Sequence, residues 1–272
     1  MNQTTIHKAN NTIRLTNRLI GLKRDLFMII KDKKMVTYTM AALLLVSMVI
    51  LAKEAARLVV SGRLSQDHSR VVVIDAGHGA ADGGKVGVND VLEKDINLAI
   101  ALRVKELLEQ QDVTVIMTRE DDEGTYPKTG SNRKMRDMKK RVELINDERP
   151  ALAVSIHQNA FSDQSVSGAQ TFFYTGSKEG QFAAELLQAQ MIKTLQPKKE
   201  RVAKANDSYY LLKNTNYPIV IVECGFLTNP EEAVLLCEEE YQEKTAWAIH
   251  LGILQYLNAG GTGSDEMDEN PH

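Results

Sequence analysis

Two histidines and two glutamates stand where buried strands are expected to end: His78, Glu93, His157 and Glu223. The segments IDAGHG and SIHQNA place each histidine directly after a β-branched apolar run, and the last glutamate continues the run IVIV. Glu93 directly precedes a stretch with helical periodicity. Because side chains beyond the carboxyl ends of parallel strands meet at one edge of a sheet, we expect these four to converge.

Imidazole and carboxylate donors in such a cluster suit a catalytic zinc ion. Three protein ligands hold the ion, and the fourth position keeps a water. A further carboxylate off the metal takes the proton as that water attacks. Taken singly, His78 also fits a loop histidine and Glu93 a partner of a helix dipole. Glu223 is harder to explain in that way, since a carboxylate in a buried strand is costly unless it is paired.

Other catalytic motifs are absent from the sequence. The glycine-rich segment GHGAADGGKVG matches neither the dinucleotide fingerprint nor a phosphate-binding loop, because no GK[ST] follows it. No HExxH is present, which disfavours a helix-borne zinc peptidase. No GxSxG is present, which disfavours a serine hydrolase. Metal-assisted hydrolysis by dispersed ligands remains the chemistry that the pattern favours.

Three residues near these positions are weaker candidates. Asp75 is expected either to accept a hydrogen bond from His78 or to serve as a turn residue. Asn159 either orients substrate or belongs to a turn. Arg119 fits contact with a substrate carboxylate, although a structural ion pair is the preferred interpretation.

Two further features have plain structural interpretations. The basic residues of 133–141 are interpreted as a solvated helix face. Cys224 and Cys237 are expected to be free thiols, because two cysteines form neither a disulfide scaffold nor a cysteine-only metal site.

Apolar β-branched runs alternate with helix-period stretches through the middle of the chain. Strands are predicted over 70–76, 113–118, 151–156, 168–174 and 219–223. Helices are predicted over 94–111, 133–147, 179–195, 231–239 and 241–257. This alternation predicts an α/β domain with a mostly parallel sheet, covered by helices on both faces.

The N-terminal region has the pattern of a membrane segment. Residues 1–34 are rich in Lys and Arg, and residues 36–52 carry no charged side chain. The uncharged run is at the short end of the roughly 17–25 residues of a membrane-spanning helix, and its basic flank predicts a cytoplasmic N-terminus. A buried core helix and a cleaved signal peptide are the alternatives. The long basic region and the lack of an A-x-A site favour an uncleaved anchor.

These patterns divide the chain into five segments. They are a basic cytoplasmic segment (1–34), an anchor or signal segment (35–53), a linker (54–68), a catalytic domain (69–258) and an acidic, disordered tail (259–272). Of the 272 residues, 43% are hydrophobic and 25% are charged, which indicates a globular protein. The net charge of −3 gives no reason to expect nucleic-acid binding.

Six motifs give the sequence a specific resemblance. In chain order they are IDAGHGAADGG, LEKDINL, MTREDD, SIHQNA, SGAQTFFY and VECGFLTNPEEA, and they span nearly all of residues 70–257. Together they resemble the zinc-dependent N-acetylmuramoyl-L-alanine amidases of the amidase type 3 family. Within that family, the germination-specific amidases of endospore-forming bacteria are most similar, since they too place a single catalytic domain behind an N-terminal hydrophobic segment.

The resemblance implies an activity and assigns the site residues. The enzyme would hydrolyse the amide between the lactyl group of N-acetylmuramic acid and the L-alanine of peptidoglycan stem peptides. The family pattern places the Zn²⁺ ligands on His78, Glu93 and His157. It places the catalytic base, which later returns the proton to the leaving nitrogen, on Glu223. The subgroup implies a spore-cortex substrate, with the catalytic domain outside the cytoplasm, at the forespore. A zinc carboxypeptidase acting on the same polymer and an inactive wall-binding module are the alternatives.

The resemblance also bears on regulation. Some cell-division amidases insert a long helix that plugs the zinc between the second histidine and the catalytic glutamate. Here that interval is filled by a strand, a helix and a hairpin-like YYLLK segment. Control is therefore expected from expression, location or an activating or localising partner protein.

Overall fold

The structure is a computed structural model that describes residues 3–64, 68–122 and 132–260. The chain divides into two compact units, Met1–Gln66 and Asp67–His272. The predicted acidic tail lies almost wholly outside the described residues.

The first unit is one helix, α1 (Gln3–Leu64). Its stretch Arg18–Lys53 is long and apolar enough to cross a membrane, with a mean hydropathy of 2.2 in its most apolar part. The apolar side chains of residues 35–51 are exposed, so this stretch does not form a protein core. The helix continues to Leu64 and so includes most of the segment predicted as a linker (54–68).

The second unit is built on a six-stranded sheet with the order β2-β1-β3-β6-β4-β5. The strands are β1 (Val71–Ala76), β2 (Thr114–Met117), β3 (Leu152–Asn159), β4 (Gln170–Tyr174), β5 (Lys204–Asn206) and β6 (Ile219–Phe226). Strands β2, β1, β3 and β6 run parallel, while β4 pairs antiparallel with β6 and parallel with β5. The predicted mostly parallel α/β sheet is confirmed.

Helices cover both faces of this sheet. They are α2 (Glu93–Glu109), α3 (Arg133–Glu148), α4 (Lys178–Leu195), α5 (Tyr210–Asn214), α6 (Pro230–Leu235) and α7 (Glu239–Asn258). The YYLLK segment contributes to the short helix α5, so its prediction as hairpin-like is wrong.

The core has two layers, because alternate side chains of each strand point to opposite faces. In β1, Val72 and Ile74 join the larger layer with α2, α4 and α7. Val73 joins the smaller layer with α3 and α5. A sheet buried on both faces requires continuous apolar strands, which explains the unbroken runs in the sequence.

Candidate active site

The four predicted residues converge at the carboxyl edge of three adjacent parallel strands. His157 on β3 and Glu223 on β6 are register partners. His78 lies two residues beyond the end of β1, which pairs with β3 on its other side. Glu93 is the first residue of α2. The topology thus brings together side chains that are up to 145 positions apart in the sequence (223 − 78).

Glu93 joins the two histidines through both of its carboxylate oxygens. Oε2 lies 3.2 Å from His78 Nε2, and Oε1 lies 2.9 Å from His157 Nδ1. One donor atom from each of these residues lies within 4.8 Å of the other two, a spacing compatible with one metal ion. The backbone amides of Lys85 and Gln158 also donate to the Glu93 carboxylate, at 2.8 and 3.1 Å. Burial opposes ionisation, but the hydrogen bonds and charges of the histidines hold the Glu93 pKa well below its usual range.

The His78 ring is held from its other nitrogen by Asp82. The Nδ1–Oδ2 distance is 3.0 Å, so an N–H at Nδ1 can donate to this carboxylate and orient the ring with Nε2 towards Glu93. Burial lowers the pKa of His78, but the hydrogen bonds to Asp82 and Glu93 outweigh it and raise the value to about 9. Sequence analysis did not single out Asp82, although its position four residues after a candidate ligand in a glycine-rich turn was a usable signal.

Two glycines make room for the cluster. A Cβ on Gly77 would overlap the His157 ring. A Cβ on Gly84 would lie 2.6 Å from Glu93 Oε2 and 2.8 Å from His78 Cδ2, and its φ of +71° also disfavours a side chain. The glycine-rich loop is therefore shaped around the cluster of His78, Glu93 and His157.

Glu223 faces the same cleft but stands apart from the three-residue cluster. It is only 6% exposed. Its Oε1 lies 3.3 Å from the Tyr209 hydroxyl, and its buried Oε2 has no hydrogen-bond partner among the described residues. Burial raises the pKa of this carboxyl. The cleft has a volume of about 360 Å³ and also contains Lys85 and Asn159.

The turn that carries His78 is held by two buried arginines. Arg141 donates from Nη2 to the His78 carbonyl at 2.6 Å and from Nη1 to the Ala76 carbonyl at 2.8 Å. Arg119 donates to the carbonyls of Ala76 and Gly77 at 2.9 and 3.1 Å. Arg119 is buried, and its hydrogen bonds in the described chain go to backbone carbonyls, so the expected ion pair is not found there. A contact between Arg119 and a substrate carboxylate stays a prediction.

Among the described residues, Asp75 is connected to His78 through Arg141. Its carboxylate accepts from Arg141 Nη1 at 2.5 Å and from the hydroxyls of Ser155 and Thr118. Burial opposes ionisation, but Arg141 and Ser155 outweigh it and hold the pKa of Asp75 at about 2. The expectation that Asp75 contacts the His78 ring is wrong, because Asp82 has that role.

Three remaining predictions have direct structural outcomes. The interpretation of 133–141 as a solvated face is wrong for Arg141, which is 4% exposed, and correct for Lys139. Asn159 lines the cleft, and its Oδ1 accepts from the Ala160 amide at 2.8 Å, as a turn residue would. Cys224 and Cys237 are free, as predicted.

Comparisons with known proteins agree with this geometry. Residues 72–255 match the family model described as N-acetylmuramoyl-L-alanine amidase. The germination-specific N-acetylmuramoyl-L-alanine amidase of Bacillus subtilis is 42% identical over 195 residues, which are 71% of this chain and 81% of the relative. The CwlD amidase of Clostridioides difficile, solved in complex with the GerS lipoprotein, superimposes with a TM-score of 0.67 at 39% identity. That match covers 70% of this chain and 99% of the solved one.

A second solved structure extends the comparison to another amidase. The catalytic domain of CwlV, an N-acetylmuramoyl-L-alanine amidase from Bacillus (Paenibacillus) polymyxa, superimposes with a TM-score of 0.61 at 31% identity. It covers 70% of this chain and 98% of that domain.

Proposed function

Because the chain belongs to the N-acetylmuramoyl-L-alanine amidase family and hydrolyses the muramoyl-alanine amide bond of peptidoglycan, we propose which of its residues perform that reaction. His78, Glu93 and His157 hold a zinc ion, and Glu223 carries the proton. The observation that supports this most directly is the convergence of the three donor atoms within 4.8 Å, in the cleft that Glu223 also lines.

The residues fit zinc by three criteria. Two imidazoles and one carboxylate form a donor set that catalytic zinc uses, with a position left for water or substrate. Asp82 supports the His78 ring from behind, as carboxylates commonly do for metal-binding histidines. Glu223 Oε2 is a buried acceptor with no hydrogen-bond donor among the described residues, so it is available to a water held in the cleft. When bound, zinc lowers the pKa of a water and polarises the substrate carbonyl.

Glu223 moves the proton in this scheme. Its carboxylate accepts a proton from the attacking water and delivers it to the nitrogen of the leaving L-alanine. Burial raises its pKa and so makes the carboxylate a better acceptor than an exposed glutamate. Neither the carboxypeptidase alternative nor the inactive wall-binding module gains support from the comparisons, whereas the amidase does.

The cellular setting extends the proposal. A cell-wall substrate requires the catalytic unit to lie outside the cytoplasm. We place the uncharged run 36–52 of helix α1 in the membrane as an uncleaved anchor, supported by the basic segment that precedes it. The similarity to a germination-specific amidase supports a spore-cortex substrate and a location at the forespore. The complex of the CwlD amidase with a lipoprotein supports a protein partner that activates or localises this enzyme as well.

The proposed function is tested on the full chain, purified in detergent and incubated with peptidoglycan. Mass spectrometry should find stem peptides with a free L-alanine N-terminus when zinc is supplied and none with a chelator. Glu223→Gln should retain stoichiometric zinc and lose nearly all turnover. More than a few per cent of the wild-type rate in that variant would refute the assignment of the base. Peptides that have lost only a C-terminal residue would instead indicate a carboxypeptidase.

A further inference from the structure

A tyrosine hydroxyl lies beside the catalytic carboxylate. Tyr209 Oη is 3.3 Å from Glu223 Oε1, and the tyrosine lines the same cleft as the predicted metal ligands. The phenol is the only described side-chain hydrogen-bond partner of that carboxylate. The sequence motifs do not include this residue, which belongs to the short segment before α5.

The surrounding chain fixes the direction of this phenol. Asn206 Oδ1 accepts from the backbone amides of Ser208 and Tyr209, at 2.8 and 3.0 Å, and so sets the turn that leads into α5. The Tyr209 ring packs edge-on against Phe172, with centroids 5.5 Å apart and planes at 80°. A ring held by the backbone turn at one end and by an aromatic contact along its side carries its hydroxyl to a defined place.

In the hydrogen bond between Tyr209 and Glu223, the tyrosine hydroxyl is the donor. Burial and the nearby charge of Glu223 both raise the pKa of Tyr209, so the phenol keeps its proton and donates to the carboxylate. This hydrogen bond engages Oε1. Oε2 is the oxygen that has no partner among the described residues.

We propose that Tyr209 is a positioning residue, whose hydroxyl donates to Glu223 Oε1 and thereby holds the carboxylate with Oε2 as the proton-accepting atom. The inference rests on the proposed role of Glu223. In this role, the hydrogen bond from the Tyr209 hydroxyl sets the orientation of the Glu223 carboxylate. Tyr209 does not need to contact the substrate.

The first test compares two tyrosine variants of the full chain. Tyr209→Phe removes only the hydroxyl and should lower kcat about tenfold to a hundredfold, the range expected for a lost hydrogen bond to a charged group. KM and zinc content should stay within twofold of wild type. The control is Tyr174→Phe, which should keep the wild-type kcat. Tyr174 contacts the same smaller core layer, and its hydroxyl bonds to no described residue. It is four residues along β4 from Gln170, the register partner of Glu223, which is a distance of about 13 Å.

The second test separates positioning from substrate contact without using turnover. The affinity of zinc-loaded Glu223→Gln for a soluble muramoyl peptide is measured with and without the Tyr209→Phe change. Equal affinities within twofold are expected if the hydroxyl acts only on the base. A loss of more than fivefold would show that Tyr209 binds substrate and would overturn the inference.

The two proposals fail in different ways. Wild-type kcat in Tyr209→Phe, together with an inactive Glu223→Gln, would overturn only the role of Tyr209. An active Glu223→Gln would overturn the role of Glu223 and the positioning role with it.

Discussion

The Asp75 carboxylate lies 2.5 Å from Arg141 Nη1, and the same guanidinium donates to the carbonyl of His78. This pair is buried, with both side chains at most 4% exposed. It connects the end of β1 with α3 and fixes the backbone of a predicted metal ligand. His78 has a φ of +62°, a conformation that costs a non-glycine residue free energy and persists only where its surroundings enforce it.

Replacing Arg141 is expected to destabilise the catalytic unit strongly. Arg141→Met leaves the carboxylate of Asp75 buried without its cation, and breaking a buried ion pair costs about 3–5 kcal/mol. Denaturant unfolding followed by the fluorescence of the single tryptophan, Trp247, measures the loss. Lys139→Met is the control, because Lys139 is exposed on the same helix and its loss should change the free energy of unfolding by less than about 0.5 kcal/mol. Equal stability of the two variants would contradict a stabilising role for the ion pair between Arg141 and Asp75.

Removing the charge of Asp82 should weaken metal binding without abolishing the fold. Asp82→Asn loses the carboxylate that holds His78 Nδ1, and such changes behind a ligand typically cost about 10–100-fold in metal affinity. Competition with a chromogenic chelator measures the zinc affinity. Asp95→Asn, an exposed aspartate in the first turn of α2, should leave that affinity unchanged. Unaltered zinc binding in Asp82→Asn would remove Asp82 from the metal site.

The sequence predicted those parts of the fold that local patterns encode. Strands β1, β3 and β6 are continuous apolar runs, and their parallel order brings His78, His157 and Glu223 to one edge. Strand β5, of sequence KAN, lies at the edge of the sheet beside β4 and has no buried side chain, so it has no hydrophobic pattern. The sequence therefore does not predict this strand.

The errors at the site share a physical cause. Arg141 stands among exposed basic residues on α3, and only its partner Asp75, 66 positions away, distinguishes it from them. Tyr209 likewise gains its role from Glu223, which lies on another element. Tertiary contacts of this kind leave no periodic signal in one sequence, whereas a glutamate that continues an apolar strand does, because its burial is costly wherever it pairs.

Gly77 is expected to be essential for the position of His157. A Cβ added at Gly77 would overlap the imidazole, so Gly77→Ala must displace the ring away from Glu93. Zinc content after dialysis should fall well below one per chain, and activity should fall with it. Gly83→Ala is the control in the same loop, because its Cβ would meet Leu92 at 3.4 Å, an ordinary contact. If Gly77→Ala retains full zinc content, the ring is not confined as described.

Stability should depend on pH through His250, a histidine on α7 remote in sequence from the site. It is 3% exposed, and neither ring nitrogen has a hydrogen-bond partner among the described residues. Burial lowers the pKa of His250. In the unfolded chain, His250 therefore binds a proton below the ordinary histidine pKa of about 6.5, while in the folded chain it resists protonation. Stability is lost as the pH falls through that range.

His250→Leu removes the titrating group and should flatten this dependence of stability on pH. Between pH 7.5 and 5.5 the wild type should lose more unfolding free energy than the variant does. His78, whose pKa is raised to about 9, changes stability in the opposite sense, but it is present in both proteins and cancels in the comparison. Denaturant unfolding at the two pH values, in chelator, measures the difference, and parallel losses in the two proteins would show that His250 is not the acid-sensitive group.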